Sequence, residues 1–216
     1  MRKIFILLSL IIPLTLLCNA QTRKAEEQAK IILEKTSEKM QSYKNIKIEF
    51  TYKMKNEKEN INESKDGIIL IKGDKYNLDI AGQNVICNGK TIWTYIKDAD
   101  EVQINVVEDN DESINPVKIL TSYDKNYKPK LIREGHKNDK TVYVIDLTPL
   151  EGKSFYKIRL IIDKTKKQIL KSTIYDKNGS LYLYIVKKFI TDITIKDSNF
   201  TFDKSKHPDV EVIDMR

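Results

Sequence analysis

Cysteine is nearly missing from this chain, which has two, and histidine is as rare. Cys18 lies in the apolar N-terminal stretch, so Cys87 alone remains for the body of the protein. A lone cysteine makes no intramolecular disulfide, and stability must come from a packed core. His136 and His207 have no Cys or second His at ligand spacing, which removes the usual zinc patterns. Glycine is scarce too, at seven residues. No Gly-rich phosphate loop and no G-x-S-x-G nucleophile turn occurs. Asp109, Asp111 and Ser113 imitate the start of a calcium loop, but Ile114 stands where the sharp turn needs glycine. Cys87, at a strand end, reads as a core thiol rather than a nucleophile. The three N-x-S/T triplets, at Asn62, Asn178 and Asn199, carry no weight by themselves. No catalytic constellation emerges, and no enzyme, metal or cofactor is expected.

One sign of charge does not dominate locally. The formal net charge is +7, yet lysines alternate with acids and form no basic run, so nucleic acid is not an expected partner. Long apolar runs are missing after the start. Arg2 and Lys3 precede a stretch, Ile4 to Leu17, that Ser9, Pro13 and Thr15 interrupt. It is too short for a membrane span and suits a secretory leader. Cys18-Asn19-Ala20 places cleavage before Gln21, leaving residues 21–216 as one domain exported from the cytoplasm. An alternative is a lipoprotein leader acylated at Cys18, although the bulky Leu17 precedes it.

What the chain does have is periodicity. In residues 24–43, Ala25, Ala29, Ile32, Leu33, Met40 and Tyr43 form one helical stripe. The period then becomes two. Ile46, Ile48, Phe50, Tyr52 and Met54 alternate with Lys47, Glu49, Thr51 and Lys53 across residues 45–55, a half-buried strand. Further strands are expected at 67–72, 75–81, 84–87, 91–97, 101–107, 129–134, 141–147, 155–163, 168–176, 181–190 and 200–202. Asn88-Gly89 and Asn178-Gly179 predict two-residue type I′ hairpins, with positive φ at both central residues. Asn115 as N-cap and Pro116 at the first helical position predict a short helix over 115–123, presenting Val117, Ile119, Leu120 and Tyr123. The polar run 108–112 before it reads as a solvated loop. Consecutive strands without βαβ alternation point to a mainly β, α+β chain built on one large antiparallel sheet. Such a sheet should curl, with the two amphipathic helices over its concave face.

Asn88-Gly89-Lys90-Thr91-Ile92-Trp93 followed by Tyr95 resembles a motif of the outer-membrane lipoprotein carrier (LolA) family. Other pieces fall in the family's order. These are Ile46 to Phe50 after the helix, Gly67 to Lys72 with Tyr76, and Asn115-Pro116 with Ile119-Leu120. Leu147-Thr148-Pro149 follows, then Phe200-Thr201-Phe202 with Pro208 and Val210 to Asp214. The resemblance covers nearly all of residues 21–216. It implies an unclosed antiparallel β-barrel with helices as lid. It also implies a periplasmic, monomeric carrier that ferries acylated lipoproteins from an inner-membrane releasing transporter to an outer-membrane acceptor. One departure is Gly73, which stands where the family's best-known members have an arginine thought to hold the lid shut. The expected acyl-binding face is Ile46, Ile48, Phe50, Tyr52, Tyr76, Leu78 and Ile80, with Trp93 near the mouth. The expected lid face is Ile32, Leu33, Met40, Val117 and Leu120. An outer-membrane receptor of similar fold anchored through Cys18 and a lipid-sensing binding module remain as alternatives.

Overall fold

A computed structural model describes residues 14–107, 126–137 and 139–216. The expected helix over 115–123, with Val117 and Leu120, lies outside the described residues. Helix α1 (Leu14–Gln41) is followed by β1 (Ile46–Asn56), β2 (Ile61–Lys72), β3 (Lys75–Ile80), β4 (Gln83–Cys87), β5 (Thr91–Ile96) and β6 (Glu101–Val106). Then come β7 (Tyr127–Lys137), β8 (Lys140–Pro149), β9 (Phe155–Asp163), β10 (Ile169–Asp176), β11 (Leu181–Thr191) and β12 (Glu211–Asp214). They form one sheet in the order β12-β6-β5-β4-β3-β2-β1-β11-β10-β9-β8-β7. Every neighbouring pair is antiparallel except β12 with β6, which is parallel. Two meanders, β1–β6 and β7–β11, thus join where β1 pairs with β11. The terminal strands β12 and β7 do not pair with each other, so the barrel stays unclosed.

Directly opposed residues in antiparallel strands share a face. Ile48 opposes Ile69, Ile69 opposes Leu78, and Leu78 opposes Val85. On the other side Ile48 opposes Phe189, and Tyr52 opposes Tyr184. This inward face carries the main core. Ile46, Ile48, Phe50, Ile69 and Ile71 join Leu147, Ile158, Leu160, Ile162 and Ile174 there, with Ala29, Leu33 and Met40 of α1. Thr36 completes the helix stripe, buried like its apolar neighbours. Its hydroxyl donates to the Ile32 carbonyl at 2.8 Å, which removes the cost of burying it.

Two expected details are corrected. Residues 200–202 are not a strand: Phe200 ends a 3-10 helix (Asp197–Phe200) and is wholly buried. That helix is tied to the outward face of β3, where Asn77 Nδ2 donates to the Asn199 carbonyl at 2.6 Å. The Asn-Gly turns are not type I′ either. Positive φ occurs at Gly89 and Gly179 but not at Asn88 or Asn178. The Asn88 side chain instead accepts from the Lys90 and Thr91 backbone N–H groups, at 2.9 and 2.8 Å. Among the described residues, a two-residue turn with positive φ at both positions is Ala81-Gly82, between the opposed Ile80 and Gln83.

Candidate functional site

A cavity of about 190 Å³ lies between the inward face of the sheet and the C-terminal part of α1. Five adjacent strands build it. β1 supplies Ile48 and Phe50, β2 Ile69, and β3 Leu78 and Ile80. β11 supplies Tyr184, Val186 and Phe189, and β10 Ile169 and Ser172. Met40 of α1 closes the remaining side. Among the described residues every lining side chain is apolar except Ser172 and Tyr184, so water inside would find few partners.

Local sequence explains how these groups converge. Phe50 opposes Gly67, and a Cβ at Gly67 would sit 2.6 Å from Phe50 Cζ. The glycine is what lets the phenyl ring lie across β2. On β11, Val186 and Phe189 are three apart yet both reach the cavity. Phe50 opposes Val186 while Glu49 opposes Lys188, so Lys187 is the extra residue of a bulge. A second register shift lies between Ile169 and Lys171, and it brings Ile169 and Ser172 to the same side. Beside the cavity an aromatic cluster forms. Tyr52 stacks on Tyr182 with centroids 6.5 Å apart and tilts against Tyr184 at 5.4 Å. Burial pushes the Tyr184 phenol up to about 12, with Tyr52 and Tyr182 adding to it, so it stays a neutral hydroxyl at ordinary pH. Burial raises Tyr52 as well.

Of the expected cavity residues, Ile48, Phe50, Leu78 and Ile80 line it. Ile46 and Tyr76 share the face but belong to the packed core, and Tyr52 belongs to the aromatic cluster. Trp93 is placed differently. It opposes Ile86 and Ile104 on the outward face, while Ile92 opposes Cys87 on the inward one. A period of two allows Ile92 or Trp93 to face inward, not both. Of the lid residues, Met40 lines the cavity, Leu33 is fully buried and Ile32 packs partly against the core. Sequence reasoning missed Ile69, Ile169, Ser172, Tyr184, Val186 and Phe189. Ile69 was available from the β1–β2 hairpin, whereas the β10 and β11 positions are hidden by the two register shifts.

The lid has its own ties. Glu26 of α1 pairs with Lys128 of β7 at 2.9 Å, and Tyr43 after the helix packs on Phe189 with centroids 6.0 Å apart. Lys72, beside Gly73, points outward and bonds Asp197 at 2.8 Å rather than reaching α1. The His207 ring lies 4.5 Å from Tyr95 and 5.1 Å from Phe202. Cys87 is a buried thiol of the core. Among the described residues no group of three or more His, Cys, Asp or Glu could hold a metal ion. Among them too, no helix is long and apolar enough to cross a membrane.

Comparison with known proteins gives the same architecture. A protein from Thermus thermophilus, described as uncharacterized and conserved, superposes with a TM-score of 0.60 at 13% identity, covering 87% of this chain and 99% of that one. A DUF1329 family protein from Desulfovibrio piger ATCC 29098 superposes with a TM-score of 0.50 at 11% identity, covering 82% and 97%. At such identities the likeness is one of fold. By sequence, the outer-membrane lipoprotein carrier protein of Histophilus somni (strain 2336) is 36% identical over 125 residues, 56% of this chain and 56% of that protein. The chain therefore matches about half the length of that relative. The family model described as outer membrane lipoprotein carrier protein LolA matches residues 41–203. With the match running from the end of the lid helix to beyond β11, the chain belongs to the LolA family of outer membrane lipoprotein carrier proteins.

Proposed function

We propose that the chain is a periplasmic carrier that holds lipoprotein acyl chains in the cavity beneath α1. It would receive them from an inner-membrane releasing transporter and deliver them to an outer-membrane acceptor. The observation that carries this reading is the cavity itself, apolar but for two hydroxyl-bearing residues and closed on one side by Met40. Family membership supports it. The leader read in residues 1–20 supports export, and residues 21–216 would be the single carrier domain.

Magnitudes restrict how such a carrier works. Each buried CH₂ is worth about 0.8 kcal/mol, so acyl chains moved bare from a bilayer to water would cost tens of kcal/mol. The carrier must exchange one apolar environment for another, with little net change. Work is still needed to pull the chains out of the first membrane, and the transporter would supply it. The cavity must also let go. A helix that packs over the apolar face when no cargo is bound lowers apparent affinity by the cost of opening it.

The test is a release assay. Residues 21–216 are added to spheroplasts making a labelled lipoprotein, with a version lacking the acylated cysteine as control. Acyl-dependent appearance of a soluble complex supports the proposal. The Leu78→Asp variant, altered at a half-buried lining position, should stay folded and lose release by at least tenfold. No release by the folded wild type, with its transporter present, overturns the carrier reading.

A further inference from the structure

Ser172 is out of character with its surroundings. It is 5% exposed and lines the cavity, and its Oγ has no hydrogen-bond partner among the described residues. Buried hydroxyls are normally satisfied, and one left alone is costly. Thr36 solves the same problem by bonding within its helix. Ser172 sits mid-strand, between Leu160 of β9 and Tyr184 of β11, where the ladders occupy the backbone carbonyls. Its inward neighbours along β10, Ile169 and Ile174, are apolar. An alanine would fill the place without the penalty, so the hydroxyl needs a reason.

The cavity's charge narrows what that reason can be. Among the described residues no lysine, arginine or histidine lines it. The nearest cation in sequence, Lys171, opposes Ile185 and Ile161 on the outward face. A carboxylate drawn into this site would be buried without a counter-charge, which is strongly unfavourable. A neutral carbonyl needs only a donor, and Ser172 provides one, with the Tyr184 residue directly across the strand pair.

We propose that the Ser172 hydroxyl donates to the ester or amide carbonyl of a bound acyl group, so that the cavity selects acylated cargo over alkyl ethers and free fatty acids. This deepens the carrier reading and rests on it. Apolar burial supplies affinity without distinguishing an acyl from an alkyl chain, and the hydroxyl adds the distinction.

The experiment compares binding of a monoacylglycerol, its 1-O-alkyl ether analogue and the matching free fatty acid by calorimetry. Wild type and Ser172→Ala are measured in parallel. Wild type should prefer the ester to the ether by about 3–10-fold. Ser172→Ala should bring that ratio close to one and unfold in urea at the same or a higher midpoint. The infrared stretch of an isotope-labelled ester carbonyl should shift to lower frequency in the wild-type complex and not in the variant. The same ester-to-ether ratio in both proteins overturns the inference alone. So does tight binding of the ionised fatty acid, or marked destabilisation by Ser172→Ala. If wild type binds none of the three, the cavity reading falls and the inference with it.

Discussion

Gly67 and Phe50 are one structural unit although seventeen positions separate them in the numbering. The ring occupies the volume any side chain at 67 would need. Gly67→Ala should therefore cost about 1–3 kcal/mol in urea unfolding, because the ring must leave its rotamer. Adding Phe50→Leu should recover part of that loss, because the smaller side chain leaves room for the new methyl. Simple addition of the two single effects would show that the contact is not what makes glycine necessary. Tyr184 makes a pH prediction. Its phenol ionises near 12 in the folded chain against an ordinary 10.0, so the folded state holds its proton longer. The stability this provides is present below pH 10 and lost as pH rises through about 12, a fall of about 2–3 kcal/mol. Urea midpoints measured across that window should fall less for Tyr184→Phe than for wild type.

The β11 strand shows why half of the cavity escapes a sequence reading. Leu181, Leu183 and Ile185 alternate with Tyr182, Tyr184 and Val186, so both faces look apolar and the period does not choose between them. After Val186 the bulge at Lys187 shifts the phase, and Phe189 faces inward where strict alternation would turn it out. On β10 the shift after Ile169 does the same for Ser172. By contrast β1, whose alternate residues are lysine, glutamate and threonine, was legible, as were most of the α1 stripe and most strand positions, although Thr36 was hidden by its hydroxyl and Tyr43 falls beyond the helix. The turns were legible as places but not as types. Asn88 and Asn178 use their side chains as turn acceptors, while consecutive positive-φ residues occur at Ala81-Gly82. A direct check on the β11 phase is available. Lys187→Ala removes only an exposed ion pair with Asp66 and should cost less than about 1 kcal/mol. Deleting Lys187 instead turns one end of β11 over and should abolish cooperative unfolding. A tolerated deletion would mean that β11 slides without penalty.

At the scale of the whole molecule, the sheet has work on both faces. The inward face carries the cavity and the main core. The outward face of β3–β6 carries a second apolar cluster, where Ile86 and Val102 are buried under the C-terminal segment that brings in Phe200 and Val210. That arrangement explains the position of Trp93. β5 is half-buried on both faces and offers no clearly polar face by which to orient it, so the tryptophan's side is decided by register with β4 and β6. It also leaves the C-terminal segment on the side of the sheet opposite α1, whose Ala29 and Leu33 are wholly buried in the inward core. Entry of acyl chains into the space between α1 and the inward face can be read with an acylated lipopeptide carrying a photoreactive group in its chain, cross-linked to residues 21–216 and mapped by mass spectrometry. Adducts are expected on Met40, Phe50, Leu78, Ile80 and Val186, lost when excess unlabelled lipopeptide competes. Adducts on the outward face, at Trp93, Ile104 or Phe202, would contradict such entry.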